Sequence, residues 1–219
     1  MSQQLDLQEQ EQIDALKAFW KQYGNLLTWV LIAVLGAYAA WNGWNFYQRR
    51  QAEQAAAMYD ELERAAQASD PDKVGRVFSD LRERHAKAAI SLQGGLVAGK
   101  LWAEKGQVEL AKQAYSWVTE HAADEDVQAL SRLRWAGVLL DERKAEESLK
   151  ILDPIKSTSM GALVADRRGD AWSLLGKKKE AVEAYRNAWQ AMPESLDYRR
   201  LVEAKLVALG AAPDTGVTK

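Results

Sequence analysis

The residues from Gly94 to Lys100 read Gly-Gly-Leu-Val-Ala-Gly-Lys, which satisfies the first seven positions of a phosphate-binding loop. A magnesium-bound nucleotide also requires a Ser or Thr hydroxyl at the eighth position and a buried strand ahead of the loop. The eighth residue is Leu101 and the surroundings are helix-forming, so Gly95 and Gly99 are read as small residues lining a repeat helix. His85 and His121 are the two histidines of the chain, with no second histidine or cysteine at ligand spacing, and both are read as surface residues. Arg168, Gly169 and Asp170 spell a tripeptide known from cell adhesion, but Gly169 falls at a repeat position inside a predicted helix. The carboxylates of Asp60, Glu61 and Glu63, and of Asp124, Glu125 and Asp126, are the residue types of acid–base chemistry, yet exposed helix ends and faces collect them routinely. With no cysteine, disulfides, thiolate metal sites and a cysteine nucleophile are excluded. No nucleophile–base pair, metal cluster or complete phosphate loop emerges, so the sequence predicts a protein that is not an enzyme and holds no cofactor.

What remains is a scaffold. The 29 basic and 31 acidic residues nearly cancel, which gives no basic face for nucleic acid. Proline occurs only at Pro71, Pro154, Pro193 and Pro213, and the long stretches between are rich in Ala, Leu, Glu, Gln, Lys and Arg, so the predicted class is all-α.

Between Lys21 and Arg49 lie 27 consecutive uncharged residues, and Leu26 to Trp41 is largely Leu, Val, Ile and Ala. A bilayer needs roughly 20 apolar residues, so this segment predicts a membrane span. Trp20 and Tyr23 before it, and Trp41, Trp44, Phe46 and Tyr47 after it, are placed as aromatic anchors at the two headgroup levels. A cleaved signal peptide is the alternative, since Ala37, Tyr38 and Ala39 fit a small-x-small cleavage pattern. Against cleavage, the preceding tail is long and carries Asp6, Glu9, Glu11 and Asp14 against Lys17 and Lys21, whereas a signal n-region is short and positive. Lys17 and Lys21 are matched by Arg49 and Arg50, so the charge count leaves orientation tied. The expected organisation is a tail over residues 1–22, an anchor over 23–47, a helical repeat domain over 48–210 and a disordered tail over 211–219.

The repeat is visible as a self-match at an offset of 70 residues: Gly99, Trp102, Gly106, Ala111 and Tyr115 recur as Gly169, Trp172, Gly176, Ala181 and Tyr185. Midway, Ala145, Leu149 and Leu152 take the places of Ala111, Tyr115 and Val118 after a step of 34, and of Ala181, Tyr185 and Ala188 before a step of 36. A unit of roughly 34 residues with small and aromatic residues in this order is the tetratricopeptide pattern, a helical hairpin. The middle copy has Leu133 and Ala136 where Gly and Trp stand in the others, and Leu140 at the turn glycine, which predicts the least regular unit. Gln51 to Ala68 and Lys73 to Ala86 read as two further helices, and Leu196 to Leu209 as a helix covering the solenoid end. Trp102 and Trp172 are predicted core, while Trp117, Trp135 and Trp189 lie off the matched positions and are expected to be partly exposed. Tetratricopeptide solenoids commonly present the first helix of each hairpin as a concave binding groove. Carried onto the three copies, that face selects Leu96 and Lys100, Leu130 and Arg134, and Asp166 and Asp170, all expected to face solvent.

An acidic tail, an anchor ending in Trp-Asn-Gly-Trp-Asn-Phe-Tyr-Gln-Arg-Arg at Trp41 to Arg50, and a short tetratricopeptide-like domain together resemble the bacterial YfgM family over essentially the full chain. The resemblance implies an ancillary subunit of the SecYEG translocon, anchored in the inner membrane, with residues 1–21 in the cytoplasm and the helical domain in the periplasm. It implies association with the membrane chaperone PpiD and a chaperone-like role toward newly translocated periplasmic and outer-membrane proteins. A purely structural scaffold of an envelope complex is the competing expectation.

Overall fold

The computed structural model describes residues 7–213, so the expected tails over 1–22 and 211–219 lie partly outside the described residues. Those residues form α1 (Leu7–Gln67), α2 (Pro71–His85), α3 (Ala89–Glu104), α4 (Val108–His121), α5 (Glu125–Asp141), α6 (Ala145–Leu152), α7 (Gly161–Leu174), α8 (Lys178–Ala191) and α9 (Asp197–Ala208), with no strand among them. The protein is all-α, with one N-terminal transmembrane helix followed by a tetratricopeptide-like solenoid. Two compact units divide the chain, Met1–Glu53 and Gln54–Lys219. The helix expected to begin at Gln51 is instead the C-terminal part of α1. No proline or glycine occurs between Gly43 and Gln67, so nothing in that stretch breaks the helix.

Within the second unit each helix packs on the next in the chain, α2 on α3 through to α8 on α9, and α5 also meets α7. This is the nearest-neighbour packing of a solenoid. Its first core joins Leu62 of α1 to Val74, Phe78 and Leu81 of α2, Leu101 and Trp102 of α3, and Tyr115 and Val118 of α4. Tyr185, Ala188, Met192, Val202 and Leu206 form a core at the other end. Between them, Leu133, Ala136, Leu152 and Val164 form a smaller cluster. Two helices start on acidic caps: Asp70 accepts from the Lys73 amide ahead of Pro71, and Asp124 accepts from the amides of Asp126 and Val127.

The hairpin turns fix the register. At the end of α3 the Gln107 amide donates to the Trp102 carbonyl and the Gly106 amide to that of Ala103, the paired bonds of a Schellman motif, with Gly106 at φ +73°. The same bonds run from Lys177 to Trp172 and from Gly176 to Ser173, with Gly176 at φ +71°. In the middle unit they run from Lys144 to Leu139 and from Arg143 to Leu140, with Arg143 at φ +61°. Arg143, and not Leu140, therefore occupies the turn-glycine position. The structural steps are 37 and then 33 residues, a three-residue correction to the register expected from Ala145. Ala136 aligns with Gly99 and Gly169, Leu139 with the two tryptophans, Ser148 with Ala111 and Ala181, and Leu152 with Tyr115 and Tyr185. Ser148 is fully buried and its hydroxyl donates to the Ala136 carbonyl at 3.1 Å, which lets a polar residue fill a small-residue position. The unit is irregular, as expected, since α6 has 8 residues against 14 in α4 and α8.

A left-handed conformation costs a residue with a Cβ roughly 1–2 kcal/mol, and the Arg143 side chain is exposed. Arg143→Gly should raise the unfolding free energy of the detergent-solubilised full chain by about 1 kcal/mol, and Gly176→Ala should lower it by a similar amount. Urea titration followed by far-UV circular dichroism measures both.

Candidate protein-binding groove and membrane anchor

A cleft of about 530 Å³ runs across α3, α5 and α7, the first helices of the three hairpins. Its apolar lining comes from Leu130, Leu133 and Leu163, its basic groups are Lys100, Arg134 and Arg167, and Glu104 and Asp141 add negative charge. Tyr198 of α9 also lines it. Leu163, with 36% of its surface exposed, is the most accessible of the three leucines.

Of the six residues selected from sequence, Lys100, Leu130 and Arg134 line this cleft and Leu96, Asp166 and Asp170 do not. Of the six only Lys100 is exposed, within reach of Glu104 at 3.7 Å. Leu96 is 9% exposed and packed in the first core, which corrects its expected solvent position. Leu130 is half-buried against the same core. Arg134 donates to the Leu96 carbonyl at 3.1 Å, so its guanidinium is held across α3 and α5. The three-residue register step moves the middle copy alone, whereas Leu96, Asp166 and Asp170 are kept out of the cleft by their own packing. Leu130 and Arg134 are in register with Leu163 and Arg167 of α7, while Leu133 and Gly137 are in register with Leu96 and Lys100, and with Asp166 and Asp170. Sequence reasoning missed Leu133, Leu163 and Arg167, which the shared positions of the turn bonds bring to light.

Asp166 is 1% exposed and Asp170 half-buried, and neither faces solvent as expected. The ammonium of Lys205, on α9, lies 2.8 Å from Asp166 and 2.7 Å from Asp170. Tyr198 donates to Asp166 at 2.7 Å, Tyr185 donates to Asp170 at 2.9 Å, and Arg167 reaches Asp170 at 3.4 Å. Burial, then the hydrogen bond to Asp166, pushes the Tyr198 hydroxyl up to about 12. Burial and next the Asp170 charge push Tyr185 up as well, so both phenols remain donors at neutral pH. The two aspartates thus lock the covering helix onto the last hairpin. In sequence the partners are separated by 39 and 35 residues, with no periodic signal joining them.

The other motifs are structural. Gly94, Gly95 and Gly99 are buried in α3, where a Cβ on Gly99 would come within 2.6 Å of the Tyr115 ring. Gly169 of the Arg-Gly-Asp string lies against the Tyr185 ring in the same way. Asp124 is a helix cap, and Asp126 accepts from Ser157 and Ser159, hydrogen bonds that hold its carboxyl below the usual range. Glu61 pairs with Lys73. His85 is buried rather than on the surface, packed where the Ser91 hydroxyl donates to its carbonyl, whereas His121 is exposed and stacked on Trp117. Trp102 is buried, but Trp172 is only half-buried, with Lys177 over its ring. Trp117, Trp135 and Trp189 are half-buried.

In the first unit, α1 carries a segment long and apolar enough to cross a membrane, 6% of which is buried within the protein. Trp20, Tyr23, Trp41, Trp44 and Tyr47 are all exposed. Tyr23 and Trp41 are 18 residues apart, or about 27 Å along a helix, which matches a hydrocarbon core of about 30 Å.

These features define a membrane-anchored tetratricopeptide-like protein. Residues 17–211 match the family model described as a tetratricopeptide repeat-like domain. A Neisseria gonorrhoeae protein named ancillary SecYEG translocon subunit is 27% identical over 207 residues, covering 93% of this chain and 98% of the relative. An Escherichia coli protein of the same name is 30% identical over 186 residues, covering 84% and 86%. A Haemophilus influenzae relative, also so named, is 25% identical over 84% of this chain and 90% of its own length. The chain belongs to the YfgM family of ancillary SecYEG translocon subunits.

The Lys205 lock has a measurable consequence. Removing one partner of a buried ion pair leaves the other desolvated, at a cost reduced here by the partial exposure of Lys205. Lys205→Met should destabilise the full chain by about 2 kcal/mol, and adding Asp166→Asn should restore much of the loss, as chemical denaturation of the single and double variants can measure.

Proposed function

We propose that this chain is a membrane-tethered, protein-binding module of the Sec translocon that assists newly translocated periplasmic and outer-membrane polypeptides. The concave cleft carries the reading: the exposed Leu163 and half-buried Leu130 offer apolar contact among the basic groups of Lys100, Arg134 and Arg167 and the carboxylates of Glu104 and Asp141. A lining of both charges around apolar side chains accepts extended segments of varied sequence and binds each weakly. Tethering through α1 compensates, because it holds the cleft beside the membrane exit and raises its effective concentration. The curated relatives are named as translocon subunits, which supports the same placement for this chain. The proposed partners are SecYEG, the membrane chaperone PpiD, the translocating clients and, through α1, lipid; nucleic acid and small-molecule substrates are not among them. No catalytic step is part of the reading.

In the proposed topology residues 1–21 are cytoplasmic and the solenoid is periplasmic, in the inner membrane. An alkaline phosphatase fused after Lys219 should be active in intact cells, and an inactive fusion with a bright cytoplasmic reporter at the same place reverses the orientation.

Client binding is read by a photo-crosslinking residue at Lys100, which is exposed on the cleft. Leu163→Asp should reduce capture of nascent secretory chains by roughly tenfold, about 1.4 kcal/mol, with helical circular dichroism unchanged. Replacing Arg167 by Ala should reduce it less. Unchanged capture with Leu163→Asp removes the cleft from client binding. Crosslinks confined to translocon subunits favour the structural-scaffold reading instead.

A further inference from the structure

A second cleft, of about 540 Å³, lies between α2 and α4 and shares no lining residue with the concave groove. Its floor is aromatic. Trp102 reaches it from α3 beside Phe78, the two ring centroids 6.1 Å apart, and Leu110 on the α4 side is 42% exposed. Gly75 keeps the floor reachable: a Cβ there would sit 3.6 Å from the Trp102 ring.

The charges along α2 sort by direction. Lys73 pairs with Glu61 and Arg84 with Asp80, both away from the cleft. Arg76 and Arg82, which line it, form no ion pair among the described residues, and Asp72 is the one acidic residue in the lining. The Arg82 guanidinium lies 5.2 Å from the Phe78 ring centre, and its Nε is buried without a hydrogen-bond partner. Asp72 sits in the first turn of α2 and forms no ion pair with either arginine among the described residues, so the two basic groups outnumber the one acidic group in the lining.

The corresponding cleft at the third repeat, about 440 Å³ with Trp172 in its lining, shows that these charges are particular to the first. There Glu180 stands in register with Leu110, and Glu183 with Gln113. The first cleft has two arginines to one carboxylate, whereas the third-repeat cleft has two glutamates to one basic residue, Arg168.

We propose that the cleft between α2 and α4 docks a segment of a partner polypeptide that carries carboxylates beside large apolar side chains. The apolar side chain packs on the exposed Leu110 at the mouth of the cleft, above the buried Trp102 and Phe78 rings, and the carboxylates pair with Arg76 and Arg82. Guanidinium forks suit carboxylates, and Leu110 beside them offers the exposed apolar contact. This site is separate from the client groove and gives the solenoid a second contact surface.

The test uses the full chain in zwitterionic phosphatidylcholine nanodiscs and a fluorescein-labelled peptide alternating Asp with Leu and Phe, read by fluorescence anisotropy. The same peptide with Lys for Asp is the control. The acidic peptide should bind roughly tenfold or more tightly than the Lys peptide. Arg76→Glu and Leu110→Asp should each weaken it by roughly tenfold, and Leu163→Asp in the concave groove should leave it unchanged. Arg76 and Leu110 are exposed, so both variants should keep the parent's circular dichroism. Three results overturn the proposal: equal binding of the two peptides, no saturable binding of the acidic one, or binding lost with Leu163→Asp but kept with Arg76→Glu.

Discussion

The solenoid depends on how closely the two helices of each hairpin approach, and paired residues of reciprocal size set that distance. Gly99 faces Tyr115 and Gly169 faces Tyr185, each so close that a Cβ on the glycine would collide with the ring. At the same register in the middle unit, Ala136 and Leu152 share one buried cluster. A larger residue on the first helix is thus matched by a smaller one on the second. Interiors are close-packed, so these pairs are not exchangeable one residue at a time. The concave cleft inherits its geometry from these contacts, because α3, α5 and α7 can line one groove only if all three hairpins close to comparable depth.

The outer two repeats were legible in the sequence because both keep Gly, Trp, Gly, Ala and Tyr at fixed positions. The middle one was legible only as a hairpin. Ala145 and Leu149 imitate the conserved spacing, but the structural small-residue position belongs to Ser148, whose hydroxyl is satisfied by the Ala136 carbonyl. Hydropathy ranks a serine as surface, and the hydrogen bond that makes its burial acceptable is invisible before the helices are paired. The turn residue misleads in the same direction: Arg143 adopts the left-handed conformation because its two Schellman bonds and the flanking packing hold it there. A three-residue error in register is close to one helical turn, so the predicted face stayed nearly right while the named residues shifted along it.

Sequence named residues on the three helices that line the cleft and misjudged their exposure. Asp166 and Asp170 were read as solvated because carboxylates usually are. Their burial follows from Lys205, Tyr198 and Tyr185, of which only Tyr185 belongs to the repeat pattern. A solenoid end needs a cover, and here α9 supplies it through Val202 and Leu206 together with that ionic lock. Because Tyr198 also lines the concave cleft, the residue that secures the cover shapes that cleft too.

The anchor illustrates the converse, where exposure within the chain was the informative quantity. From Leu26 to Leu35, Leu, Trp, Val and Ile side chains are exposed, and among the described residues of its unit no second element covers them. At about 25 cal/mol per Å² of apolar surface, a face of that length left in water would outweigh the marginal stability of an ordinary domain. A bilayer removes that cost without any packing partner, and a helix satisfies its own backbone hydrogen bonds there. Trp20 and Tyr23 at one end of the apolar run, and Trp41, Trp44 and Tyr47 at the other, are exposed within the protein, the exposure and spacing that amphipathic rings at headgroup depth require. Lipid thus completes the burial of α1, whereas each helix of the solenoid is buried by its neighbours in the chain.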